Sequence, residues 1–304
     1  MIDLDLIRRS TEREDPQSRI RERFVRLRLG PGETVGILAE PLDAPPRDVG
    51  WVICPSFAYE ASYLWRTDAG LSRALASLGF PVLRFHGQGY GDSELTGAFD
   101  PSISSHRRDA EDAVAWLADA SRLRDVVTAG TLLGGTVAAM TAARLGLPAF
   151  VALAPAVDGA RYLKLLLRHV VLAGMTRAGL PTSEREIRAA LRSEGWANLL
   201  GFRLTAQAER EFDSLDLCRE TASFGGDALA IGVTRRPGIP DEVGVLSAEL
   251  NRNGGRCEHV SFAEERATLG RSSFANGLDP TAPLAGRLIE RSRVWALNRF
   301  GQRS

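Results

Sequence analysis

The chain is poor in the side chains that reactive chemistry is usually built on. Its 304 residues include only four histidines and three cysteines. Cys54, Cys218 and Cys257 share no CxxC or CxxxH spacing, which argues against a disulfide framework and against a common zinc site. Neither a metal nor another cofactor is expected. Net charge is absent too, with 38 basic residues against 38 acidic ones, so nothing electrostatic favours nucleic acid or an anionic membrane as partner. Lysine is nearly missing: Lys164 is the only one, and the arginines are spread along the whole chain rather than gathered into a phosphate clamp. The longest apolar stretch, from Leu163 to Met175, is interrupted by Lys164, Arg168 and His169 and is too short to span a bilayer. The N-terminus, Met1-Ile2-Asp3-Leu4-Asp5, is acidic before it is basic and lacks the apolar core of a signal peptide. A cytoplasmic protein with a small-molecule partner is the expectation.

What is present is an ordinary hydrophobic fraction, 44%, and a strand–helix rhythm. Residues 1–20 are charged and read as a loosely held lead-in. Phe24–Leu29 and Thr34–Ala39 alternate around Gly30-Pro31-Gly32, the pattern of an antiparallel hairpin. Strands then alternate with helices: strand Trp51–Cys54, helix Trp65–Leu78, strand Pro81–Phe85, helix Ser105–Leu117, strand Asp125–Ala129, helix Thr136–Ala143, strand Ala149–Leu153. Continuous apolar strands alternating with helices imply an α/β fold whose mostly parallel sheet is covered on both faces. Residues 159–212 break the rhythm with amphipathic, helical sequence and read as a cap over the sheet's carboxyl edge. That divides the chain into a core segment 1–158, the cap 159–212 and a second core segment 213–304. The latter carries strand Ala228–Val233, a helix from Asp241 to Asn251, strand Cys257–Phe262 and a closing helix from about Ala282 to Phe300. Leucines 163, 165, 166, 167 and 172 make the first cap helix greasy on most sides, the pattern of a core element or a homodimer face.

One motif stands out. Asp125–Ala129 leads into Gly130-Thr131-Leu132-Leu133-Gly134-Gly135 and then into a helix of small residues. A strand, a sharp glycine-flanked turn and a tightly packed helix build the G-x-S-x-G nucleophile elbow. Its centre here is Leu132, which cannot attack a carbonyl. Two further turns follow neighbouring strands: Cys54-Pro55-Ser56-Phe57-Ala58-Tyr59-Glu60, and Arg84-Phe85-His86-Gly87-Gln88-Gly89-Tyr90-Gly91-Asp92-Ser93. The second is similar to a D-x-x-G-x-G-x-S turn, with His86 in place of the aspartate. With Pro155-Ala156-Val157-Asp158-Gly159-Ala160-Arg161-Tyr162-Leu163, Gly201–Thr205 and Leu215-Asp216-Leu217, these motifs resemble the exosortase-associated branch of α/β-hydrolases, related to serine aminopeptidase-type hydrolases. The resemblance spans roughly residues 22–300. It implies an α/β-hydrolase fold with a helical cap and a degenerate elbow, and an oxyanion-donating amide near Ser56, Phe57 and Ala58.

A serine triad needs a nucleophile, a histidine and a carboxylate. The resemblance puts the acid after the strand at 228–233, where the chain reads Thr234-Arg235-Arg236-Pro237-Gly238, with Asp241 and Glu242 late and read as helix caps; Asp158, before the cap, is the remaining acid candidate. It puts the histidine after the last strand, where Ala263-Glu264-Glu265-Arg266-Ala267-Thr268 has none; His259 comes too early. The expected protein therefore binds an apolar or acyl-bearing molecule between core and cap, as a pseudoenzyme or a non-hydrolytic enzyme. In that reading His86 is the acid–base, Leu132 and Tyr162 line the pocket, and the amides near Phe57 and Leu133 hold an oxyanion. The alternative is an esterase or thioesterase with a displaced nucleophile, for which Ser56 is reachable. Cys54 reads as a small buried hydrophobe, Thr131 as packing, His106 as a solvated residue at a helix start capped by Ser104 or Ser105, and His169 as a cap residue facing either solvent or the cleft.

Overall fold

The computed structural model describes residues 11–94, 99–234, 242–263 and 283–301. Nine strands form one twisted sheet in the order β1-β2-β3-β5-β4-β6-β7-β10-β11. They are β1 (Glu12–Asp15), β2 (Ile20–Leu29), β3 (Gly32–Pro41), β4 (Val49–Cys54), β5 (Val82–Phe85), β6 (Asp125–Thr131), β7 (Ala149–Leu153), β10 (Asp227–Thr234) and β11 (Arg256–Ala263). The sheet is antiparallel from β1 to β5 through the β2–β3 hairpin and parallel from β5 onward. The parallel centre follows from sequence: β4 and β7 are buried at every position, as strands covered on both faces must be. The hairpin instead alternates from Phe24 onward, where outward Arg26 pairs with Glu33, and the half-buried Arg23 pairs with Glu40 farther along. The lead-in is not loose throughout, because Glu12 and Glu14 face Arg23 and Arg21 across the β1–β2 register.

Two apolar layers enclose the sheet. On one face α1 (Tyr59–Ala76) and α9 (Pro283–Phe300) cover a core centred on Trp51, whose ring meets Phe80, Trp295 and Phe300 edge-on. On the other lie α2 (Ile103–Ala120), α3 (Leu133–Leu145) and α8 (Glu242–Arg252). Between β7 and β10 the chain inserts α4 (Gly159–Gly174), α5 (Glu184–Ser193), the hairpin β8 (Trp196–Leu199)–β9 (Phe202–Thr205), α6 (Ala206–Ser214) and the short α7 (Leu217–Glu220). The insertion therefore contains a small sheet where helix alone was expected. Its two ends are pinned at a neck, where Gly159 N donates to Leu215 O at 3.0 Å and Leu217 N to Val157 O at 2.9 Å. On α4 Leu163, Leu166, Leu167 and Val170 are buried, while Leu165, Leu172 and Met175 face outward, so the helix is one-sided.

Strand order reverses at β4: β5 lies on one side of it and β6 on the other. In open α/β sheets ligands bind beyond the carboxyl ends of strands at such a switch point. The turns after β4 and β6 are therefore the place to look, and they are in van der Waals contact. A Cβ built on Gly134, at the start of α3, would stand 2.3 Å from the Cys54 carbonyl oxygen. Gly134→Ala is therefore expected to lower stability by roughly 1–3 kcal/mol or prevent folding, as overpacking against backbone does. Gly286→Ala, on α9 with open space around it, should instead raise stability by about 0.5–1 kcal/mol. Thermal unfolding of the two variants checks both signs.

Candidate active site

The turns after β4 and β6 share an uncommon backbone. Each strand runs into a helix through one residue at positive φ: Ala58, at φ 51° and ψ −133°, precedes α1, and Leu132, at φ 54° and ψ −124°, precedes α3. Neither lies in the ordinary left-handed well, and such residues cost about 1–3 kcal/mol each unless their surroundings enforce them. No side chain caps either helix. Glu60 N and Ala61 N donate back to Phe57 O and Ala58 O, and Gly135 N and Thr136 N to Leu132 O, and the aligned peptide dipoles put partial positive charge at two neighbouring strand ends. Leu132 and Leu133 are both buried, and Leu132 N is fixed by donating to Leu153 O at 2.9 Å. Ala58 N donates to the Tyr90 hydroxyl at 2.9 Å.

Between the β4 turn and the insertion lies a buried polar cluster. Ser56 Oγ donates to Glu60 Oε2 at 2.9 Å, and the Tyr162 hydroxyl, from α4, donates to the same oxygen. All three residues are nearly closed to solvent. Burial pushes the Glu60 carboxyl from its ordinary 4.5 up to about 7, even though both hydroxyls pull it down. Burial, together with the neighbouring carboxylate, raises the Tyr162 hydroxyl well above its usual range and keeps it protonated. Glu60 is therefore a group that exchanges a proton near neutrality, with hydroxyl donors already aimed at it.

Aromatic rings surround this cluster. Phe57 meets Phe212 of α6 edge-on at 5.0 Å, and Tyr162 lies 5.9 Å from Phe212. Tyr90 packs on Phe202 of β9. Tyr59 stacks on His169. The seam between core and insertion is thus walled by aromatic side chains from both. His106 also belongs to it, contrary to the expectation of a solvated residue. It is 4% exposed and sits between Phe57 and Tyr90, with Nδ1 2.8 Å from the Ser102 carbonyl. Burial lowers its pKa, keeping the ring neutral. Ser102, rather than Ser104 or Ser105, caps that helix, in a box with Ser105.

The expected site residues are distributed as follows. Ser56, Phe57, Ala58, Leu132, Leu133 and Tyr162 all sit at or beside these two turns. His86, half exposed, follows β5 and has none of the cluster's hydrogen bonds; its Nδ1 lies 3.1 Å from Asp92 N and 3.3 Å from Asp92 Oδ2, so the ring braces the glycine-rich turn. Asp158 is exposed and caps α4 by accepting from Arg161 N at 2.9 Å. Cys54 is buried and its thiol pushed far up by burial, so no thiolate forms there. The hydroxyl of Thr131 is buried without a partner. Residues 235–241 and 264–268, where the acid and the histidine were sought, lie outside the described residues. Among the described residues no cluster of three or more His, Cys, Asp or Glu is placed to hold a metal, and no helix is long and apolar enough to cross a membrane. Glu60 escaped the sequence reading because the helix carrying it was expected to begin at Trp65.

Because the folded state raises the Glu60 pKa, it holds a proton that the unfolded chain releases above about pH 4.5. The stability this proton carries is complete below that pH and is lost as pH rises through about 7. Urea unfolding at pH 5 and pH 8 should show Glu60→Gln losing less stability across the interval than the parent, by roughly 1–3 kcal/mol. Asp68 and Asp109, both raised by burial to about 7, leave a residual slope in the variant.

No protein-family model and no curated protein matches the chain. Solved structures do. Est1E from Butyrivibrio proteoclasticus with bound ferulic acid aligns at TM-score 0.62 and 14% identity, over 91% of this chain and all of that one. The Pyrococcus furiosus esterase Pf2001 aligns at TM-score 0.59 and 13% identity, over 94% of each. An alpha-beta serine hydrolase homologue from Coxiella burnetii aligns at 0.52 and 16%, over 88% of this chain and 96% of that one. With its mostly parallel sheet covered by helices on both faces and these structural neighbours, the chain has the α/β-hydrolase fold.

Proposed function

We propose that this protein binds a small apolar or acyl-bearing molecule in the seam between the sheet's carboxyl edge and the insertion acting as a cap, and does not hydrolyse it with a Ser-His-Asp triad. The observation that carries this reading is Leu132: a hydrocarbon side chain held at a strained φ of 54° in a strand–helix turn. Backbone strain of this kind persists where the surrounding structure over-determines it, and it clusters at ligand sites. The turn keeps what an oxyanion hole uses, an amide at the start of α3 beside the β4 loop, and lacks what attacks. The chain also has no histidine anywhere after residue 259. The aromatic walls suit an apolar ligand, which enters by parting Phe57 from Phe212.

In the binding form, Leu132 and Tyr162 line the pocket while the amides of Leu133 and Phe57 receive a carbonyl oxygen. In the catalytic form, a cyclisation, lyase or acyl-transfer reaction, Glu60 moves the proton and the two hydroxyls orient it. His86 and Asp158, at the rim and the neck, are then supports rather than reacting groups. The near-complete burial of Ser56, Phe57, Glu60, Leu132 and Leu133 favours the binding form.

A second reading has its own observation: the Ser56 hydroxyl donates to a carboxyl that ionises near neutrality, and the solved structures of similar fold include esterases. Here Ser56 is the displaced nucleophile of an esterase or thioesterase. Incubation with a fluorophosphonate, followed by intact mass, separates the two. The leading reading expects no adduct and p-nitrophenyl butyrate turnover no faster than for a heat-denatured control. An adduct that Ser56→Ala abolishes establishes the second.

A further inference from the structure

A second concavity lies on the α1 face of the sheet, between the β2–β3 hairpin and the first turns of α1. It encloses about 100 Å³. No residue of the insertion and none of Ser56, Glu60 or Leu132 lines it; Tyr90, a wall of the seam, borders this pocket as well. Its mouth is flanked by two large apolar side chains that the fold leaves unburied, Phe24 at 53% and Trp65 at 55% exposure. Val35 and Ile37 of β3 continue the apolar wall.

The polar end is unusual. Asp68, on α1, and Arg84, on β5, both line the pocket, and each keeps one buried polar atom without a partner: Asp68 Oδ1 and Arg84 Nε. The Arg84 guanidinium is held from its other side by Glu22 Oε1, 3.2 Å from its terminal nitrogen, and Arg73 bonds the second Glu22 oxygen. Glu22 therefore fixes Arg84 in place and leaves its Nε–H unused. Burial outweighs the attraction of Arg84 and raises the Asp68 carboxyl to about 7. A buried donor or acceptor left unmet costs about 1–3 kcal/mol, so one missing donor and one missing acceptor at the same pocket mark a deficit that a bound group can remove.

We propose that this pocket is a binding site for a small primary carboxamide carrying an aromatic or aliphatic tail. The amide N–H donates to the Asp68 carboxylate, its carbonyl accepts from Arg84, and the tail lies against Phe24, Trp65 and Ile37. Charge and hydrogen-bond inventory choose this head group. An ammonium would satisfy Asp68 but bring a second cation against Arg84. Above about pH 7, where Asp68 is ionised, a carboxylate would satisfy Arg84 but meet Asp68 as a like charge. Only a neutral head with both a donor and an acceptor answers the two orphans together. The volume of about 100 Å³ is below the roughly 150 Å³ of an apolar cavity known to take benzene, so the pocket holds the amide head and the tail lies at the mouth between Phe24 and Trp65.

The test is ligand-observed NMR at pH 8 with benzamide, benzoate and benzylamine in turn, on the full chain. Benzamide is expected to bind saturably in the millimolar range, and the two charged analogues at least tenfold more weakly. Asp68→Leu should weaken benzamide at least tenfold. Trp65→Ala, at an exposed position that leaves the fold intact, should weaken it several-fold and so covers a failure of the first variant to fold. Benzoate or benzylamine binding as tightly as benzamide overturns the assignment. So does no saturable benzamide binding, or binding that neither variant alters.

Discussion

The Cys54–Pro55 backbone and the start of α3 occupy space that a single methyl group would close. Gly134 permits that approach, and much of the edge chemistry follows from it. With the two turns in contact, the strands that end in them cannot relax, and Ala58 and Leu132 are pinned at positive φ. The helices that begin there are left without side-chain caps. The result is a pair of helix N-termini side by side at the point where strand order reverses. This pair of strained turns is thus a packing consequence, independent of which side chain stands at position 132.

The insertion converts this edge into an interior. Phe212, Phe202, Tyr162 and His169 close over Phe57, Tyr90 and Tyr59, and titratable groups pass out of water with them. Each responds as desolvation requires: Glu60 rises toward neutrality, His106 falls, and both Tyr90 and Tyr162 stay protonated. Glu60 is tolerated because two hydroxyls share one of its oxygens, one from the core and one from the insertion. That shared oxygen also ties the insertion to the sheet.

The α/β alternation was legible because buried parallel strands are continuous apolar runs, and every expected strand of the parallel sheet is present. The strand–turn–helix at Leu132 was legible too, since a glycine-flanked turn between strand and small-residue helix has one common geometry. Boundaries failed where tertiary contacts set them. The helix α1 begins at Tyr59 rather than Trp65 because a strained Ala58, not a capping side chain, starts it. The β8–β9 hairpin was invisible because its two-residue turn, Leu200-Gly201 at φ 55° and 98°, puts leucine where asparagine is the usual signal. His106 looked solvated because polar residues surround it in sequence, although Phe57 and Tyr90 surround it in space. Glu60 was missed with its helix. The pocket at Asp68 and Arg84 joins α1 to β5 and the hairpin, a juxtaposition that no local pattern encodes.

The central claim is that the turns at Ala58 and Leu132 still receive a carbonyl group that nothing there attacks. Amide NMR of the ¹⁵N-labelled chain during titration with 2-decanone, an unhydrolysable acyl-chain carbonyl, tests it most directly. Saturable shifts of the Leu133 and Phe57 amides, with the intact mass unchanged, are the expected result. Shifts confined to other parts of the molecule, or a covalent adduct with the protein, would contradict the account.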